Sequence, residues 1–135
     1  MELSLQKIKS AVNKSLKEHV EFCFLLGSAA TPRFRKDSDV DIAIYWKNPE
    51  ISLDLTVEII NKLESDLVGH SVDLISLNKI DIIYGMQVLD SGRLLIDNNP
   101  GLLLNWKATQ LSRYPDFKAS RQIIEENILN RKKYV

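Results

Sequence analysis

Two short apolar runs, Val20–Leu26 and Val40–Trp46, constrain this chain more than any other feature. The first, Val-Glu-Phe-Cys-Phe-Leu-Leu, is rich in β-branched and aromatic residues and stops at Gly27. The second alternates, with Val40, Ile42 and Ile44 set between Asp39, Asp41, Ala43 and Tyr45. Runs this short, with a period of two and turn residues at their ends, read as strands. They are far too short to cross a membrane as helices. An isolated pair of strands is only marginally stable, so the chain must extend the sheet and cover it.

The remaining segments supply that cover. Leu5, Ile8, Val12 and Leu16 recur at spacings of three and four and form one apolar face of a helix over 3–19. Leu55, Ile59, Leu63 and Leu67 do the same over 52–68, and Gly69 stops that helix. Residues 72–77 form a third strand containing Asp73, and Arg93–Asp97 forms a short fourth. Residues 79–90, 101–114 and 116–133 read as helices, the last two separated at Pro115. The expected fold class is α+β, a small mixed sheet flanked by helices. The expected division is a catalytic-type domain over 1–100 and a C-terminal helical extension over 101–135.

Composition narrows the function classes. A chain of 135 residues, 44% apolar and 27% charged, has the makeup of a globular domain and excludes a disordered or collagen-like chain. The charge balance is zero, with 11 Lys/Arg against 15 Asp/Glu in residues 1–100 and 7 against 3 in residues 101–135. No basic stripe tracks a phosphate backbone, so no direct nucleic-acid partner is expected. The basic tail is suited to an acidic partner or is simply solvated. The lone cysteine, Cys23, cannot form an intramolecular disulfide, and the first residues lack the apolar stretch of a signal peptide. These features point to the cytoplasm as the expected location, with no membrane contact expected.

The chemistry concentrates in FLLGSAATPRFRKDSDVDIAIYW. Gly27 and Ser28 follow the first strand, and ten residues separate Ser28 from Asp39. Two aspartates at positions 39 and 41 of one strand point to the same face. Carboxylates held that close repel one another unless a cation lies between them, and oxygen ligands suit Mg²⁺ or Mn²⁺. Paired ions bridged by carboxylates drive in-line phosphoryl and nucleotidyl transfer. A glycine at a strand end lets a phosphate approach the backbone, and Ser28 adds a hydroxyl at a helix start. Asp73, on a strand able to lie beside Val40–Trp46, is the third carboxylate of the set. Each piece taken singly also has an ordinary reading: a solvated strand face, a turn with its cap, a surface aspartate.

Together, Gly27, Ser28, Asp39, Asp41 and Asp73 resemble the nucleotidyltransferase superfamily that includes DNA polymerase beta. The small size resembles its minimal nucleotidyltransferases, the MntA-type antitoxins found beside HEPN-domain toxins. The resemblance spans residues 5–97 and implies a polymerase-beta-like fold. It implies that Asp39, Asp41 and Asp73 hold two Mg²⁺ ions, that Gly27 and Ser28 position the phosphates of ATP, and that AMP passes to an acceptor hydroxyl. It implies as acceptor a tyrosine of a partner HEPN toxin, silenced by the modification. The family commonly continues the Gly-Ser with an arginine-bearing turn closed by glycine. Here the continuation is Ala29-Ala30-Thr31-Pro32, with Arg33, Arg35 and Lys36 following. Two alternatives stand beside this reading: an antitoxin that only binds and masks the toxin, and transfer to a small molecule such as an aminoglycoside.

Other residues suggest less. His19 and His70 lie near helix ends without metal-ligand spacing, and Cys23 reads as a core thiol. Leu102, Leu103, Leu104 and Trp106 crowd one apolar segment, which is expected to be a surface for a second copy of the chain or for the toxin.

Overall fold

The structure, a computed structural model, describes residues 4–26, 39–79 and 82–112, the side chains of Ile82 and Ile83 excepted. Four helices and four strands follow in the order α1 (Leu5–Leu16), β1 (Val20–Leu26), β2 (Val40–Trp46), α2 (Leu53–Asp66), β3 (Val72–Ser76), α3 (Ile82–Ser91), β4 (Arg93–Asp97) and α4 (Pro100–Ser112). The strands form one sheet in the order β3-β2-β1-β4. β1 runs antiparallel to both β2 and β4, and β2 runs parallel to β3. The sheet is therefore mixed, as its sequence implied.

The helices start where side chains satisfy their first N–H groups. Ser4 Oγ accepts from Lys7 N–H at 3.1 Å, and Ser52 Oγ accepts from Leu55 N–H at 3.2 Å. α2 also carries Asp54 in its first turn, favourable to the helix dipole. Its end is fixed by Gly69, whose φ of 91° lies in the left-handed region that side chains avoid. The chain then doubles back, with His70 N–H donating to Leu67 C=O at 3.1 Å.

Both faces of the sheet are covered, which explains why β1 reads as almost unbroken apolar sequence. On one face Cys23, Leu25, Val40, Ile42, Ile44 and Val72 pack against Ile8, Val12 and Leu16 of α1 and Ile59 and Leu63 of α2. On the other, Phe22, Phe24, Leu26 and Ala43 pack against Val88 of α3 and Leu103 and Trp106 of α4.

This second layer corrects one expectation from the sequence. Leu103 and Trp106 are not a free apolar surface. They are buried, with the Trp106 ring 5.6 Å from Phe22 and 6.0 Å from Phe24. Of that segment Leu104 remains exposed, at 68%. The start of α4 is pinned to the sheet. Asn98 Nδ2 donates to Lys17 C=O and Val20 C=O, and Asn99 Nδ2 donates to Glu21 Oε2 at 2.7 Å. Helices α3 and α4 meet closely at Gly85, where a Cβ would collide with Gln110 Oε1. From residue 100 to Ser112 the chain thus packs on the sheet. The expected helix over 116–133 lies outside the described residues.

Candidate active site

The site is built at the end of the sheet where β1 finishes and β2 and β3 begin. The register aligns Leu26, Asp41 and Asp73 across the three strands. The next row is Phe24, Ala43 and Ile75. Beyond it Phe22 pairs with Tyr45, their rings stacked at 5.0 Å. Alternation puts all of these side chains on the face that α3 and α4 cover. The two carboxylates therefore lie in the outermost row of a surface whose inner rows are apolar and aromatic and largely buried.

The opposite alternation anchors the strands. Val40, Ile42 and Val72 are buried against α1 and α2, with Leu74 packed beside them. Asp41 cannot turn away without exposing Val40 and Ile42, so the apolar pattern fixes its direction. Asp73 obeys the same rule. Val72 and Leu74 face one layer, while Ile75 and Leu77 face the other with Asp73.

Electrostatics mark the pair. Burial raises the Asp41 carboxyl above its ordinary range, and the charges of Asp73 and Asp39 raise it further. A side-chain hydrogen bond with Asp73 acts in the same direction. Two carboxyl groups can share such a bond only while one carries a proton. Asp41 is half-buried, whereas Asp39, just before β2, and Asp73 are exposed.

These groups fit a divalent cation in a particular sense. Among the described residues no three His, Cys, Asp or Glu side chains close on one point as a complete metal cage. Asp41 and Asp73 supply two hard oxygen donors whose mutual repulsion a cation would relieve. Mg²⁺ is ordinarily held by one or two carboxylates, with water and substrate phosphates completing its shell. Such an incomplete, open set is the arrangement that type of ion uses.

Two of the five expected site residues, Asp41 and Asp73, are thus brought side by side, and a third, Asp39, acts on Asp41 electrostatically. Gly27 and Ser28 follow directly after Leu26 in the chain but lie outside the described residues, as do Arg33, Arg35 and Lys36. Sequence reasoning missed the roles of Leu26 and Ala43, which flank the carboxylates in the sheet. Register between distant strands decides those roles, and no local spacing reports it. A cavity of about 560 Å³ lies elsewhere, lined by Lys14, Lys17, His19, Lys62 and Asp66 at the ends of α1 and α2. It contains none of the expected site residues.

Comparison with known proteins gives the family and the fold. Residues 6–101 match the family described as "Polymerase beta, Nucleotidyltransferase", and the chain belongs to that family. Among curated proteins none matches in sequence. Several solved structures share the fold. One is a toxin–antitoxin with AMP-PNP, 23% identical, with a TM-score of 0.68, covering 90% of this chain and 98% of that one. A second is a tri-AMPylated HEPN toxin of Shewanella oneidensis in complex with an MNT antitoxin, 23% identical, TM-score 0.64, covering 92% and 98%. A third is the MntA–HepT toxin–antitoxin, with the same identity, TM-score and coverage. Among the described residues no helix is long and apolar enough to cross a membrane.

Proposed function

We propose that this member of the polymerase beta nucleotidyltransferase family is an antitoxin that transfers AMP from ATP to a hydroxyl group, the acceptor being a tyrosine of a HEPN-domain toxin. The observation that carries the reading is the Asp41–Asp73 pair, level in register at the open end of the sheet. The likeness to an MNT antitoxin in complex with an AMPylated HEPN toxin supports the choice of acceptor. The likeness to a toxin–antitoxin holding AMP-PNP supports ATP as the donor.

In this reading Asp39, Asp41 and Asp73 would hold two Mg²⁺ ions. When bound, the ions neutralise charge on the phosphates and stabilise the leaving pyrophosphate. Gly27 and Ser28 receive the β- and γ-phosphates through backbone N–H groups and a hydroxyl. Asp73, exposed at the strand edge, accepts the proton of the acceptor hydroxyl as its oxygen attacks the α-phosphorus. One O–P bond forms, the bond to the pyrophosphate oxygen breaks, and the AMP group changes owner. The apolar row of Phe24, Ala43 and Ile75 behind the carboxylates lowers the local dielectric on that side and strengthens charge interactions at Asp41. The enzyme's contribution is positioning and electrostatics.

The departure at Ala29-Ala30-Thr31-Pro32 favours one competing reading, an antitoxin that masks the toxin without chemistry. Intact-mass measurement on a HEPN partner, incubated with this protein, ATP and Mg²⁺, separates the two. A gain of one or more AMP masses, absent with Asp41→Asn, is expected. A stable complex that gains no mass would overturn transfer in favour of masking.

A further inference from the structure

We infer that the acceptor hydroxyl reaches the carboxylates on an extended segment of the partner, paired with the outer edge of β3. This deepens the proposed function and rests on its premise that the acceptor is a protein. The direction of the β3 backbone groups follows from two hydrogen bonds at its ends. Val40 N–H donates to Ser71 C=O at 2.8 Å, and Leu77 N–H donates to Ile44 C=O at 2.7 Å. Residues 71, 73, 75 and 77 therefore turn their N–H and C=O groups toward β2. Backbone groups alternate along a strand, so Val72, Leu74 and Ser76 turn theirs away from the sheet. Val72 conforms, donating its N–H to Glu64 Oε2 of α2 at 3.0 Å.

Past Val72 the edge is open. Among the described residues no strand pairs with the outer side of β3, and the main-chain groups of Leu74 and Ser76 have no partner there. This edge is continuous with the candidate active site, because Asp73 immediately precedes Leu74 and stands level with Asp41. The opposite edge, β4, lies two strands away from β2. A strand laid along β3 would run about 5 Å from it, with every second side chain on the carboxylate face. A hydroxyl borne there stands beside Asp73. Main-chain bonds at Leu74 and Ser76 hold such a segment without reading its sequence, as in other cases of strand addition. With only five residues in β3, the rest of the partner must supply most of the affinity.

The test is Leu74→Pro. It deletes one outward N–H, while the ladder to β2 depends on its neighbours Asp73 and Ile75, and proline is tolerated on edge strands. Leu74→Ala controls for the lost side chain. With a co-purifying HEPN-domain protein as acceptor, transfer by Leu74→Pro should slow at least about tenfold, the scale of one lost main-chain bond, with ATP affinity unchanged. Transfer equal to that of Leu74→Ala would overturn the inference and leave the proposed function standing. Amide exchange on the wild-type complex decides the matter independently of any variant's folding and of whether AMP is transferred at all. Slowing of the Leu74 and Ser76 amides by at least about tenfold on complex formation sustains the edge as the docking strand, and unchanged exchange there overturns it.

Discussion

Asp41 and Asp73 stand opposite one another on neighbouring parallel strands, and the charge of Asp73 adds to the burial that raises the Asp41 carboxyl. Strands so aligned hold two carboxylates against their own repulsion, and sheet packing outweighs that repulsion. The pair is therefore built for something other than stability. Asp41→Asn and Asp73→Asn should each lower AMP transfer by about a hundredfold or more, the scale seen when one preorganised electrostatic group is removed. Circular dichroism and melting should show both variants folded. Undiminished transfer by either would remove that residue from the proposed mechanism.

The same pair gives a pH dependence with a definite sign. Because burial and the charges of Asp73 and Asp39 raise Asp41 above its ordinary range, its ionised form is less favourable in the folded protein than in the unfolded chain. The stabilisation tied to its protonated form is present at low pH and is lost as pH rises through the raised value. In metal-free buffer, Asp41→Asn should therefore gain in Tm over the wild type as pH rises from about 4, the ordinary carboxylate range, toward neutral. Added Mg²⁺ should raise the Tm of the wild type and leave that of the variant nearly unmoved, since only a folded-state ligand set stabilises by binding. A Tm difference that is flat with pH would refute the electrostatic account.

The pairing of Asp39 and Asp41 on one stretch of chain was legible because it is local. In the sequence Asp39-Val40-Asp41 opens an alternating apolar run, and a period of two fixes which side chains travel together. Asp73 was legible by order alone. Its facing was not, because Leu74 and Leu77 are three apart and seem to break the alternation. The structure resolves this, since Leu77, just past the end of β3, continues the layer of Asp73 and Ile75. The burial of α4 was hidden for a different reason. Leu102, Leu103, Leu104 and Trp106 make that helix apolar on every side, so no periodicity says which residues turn inward. That choice belongs to Phe22 and Phe24, some eighty residues away in the chain.

Trp106 gives a stability prediction that separates core from surface. Trp106→Ala should cost about 3–5 kcal/mol, the range for removing a large aromatic from a core. Among the described residues its buried indole N–H has no hydrogen-bond partner. Burying such a donor costs about 1–3 kcal/mol, so Trp106→Phe should be far milder than the lost volume suggests. Leu104→Glu, at an exposed position two residues earlier in the same helix, should change stability little. Urea unfolding of the three variants checks the ranking. A strong effect at Leu104 with none at Trp106 would restore the surface reading of this segment.

Cys23 supplies a probe of the opposite layer. It sits in the middle of β1 between Ile44 and Ile96, fully buried, and burial pushes its thiol up to about 12. The thiolate is the reactive form, so the native protein should resist aromatic disulfide reagents at pH 8 and react at once in denaturant. Linkage adds a second consequence. A thiol whose folded value lies above the unfolded one of about 8.5 contributes stability that is complete below that pH and declines as pH rises toward the folded value. Wild-type stability should therefore fall between pH 8.5 and 11 more steeply than that of Cys23→Ala, whose chain has no group to ionise there. Denaturant midpoints measured across that range decide it. Parallel slopes, or rapid labelling of the native thiol, would mean that β1 opens to solvent far more readily than its packing against α1 and α2 implies.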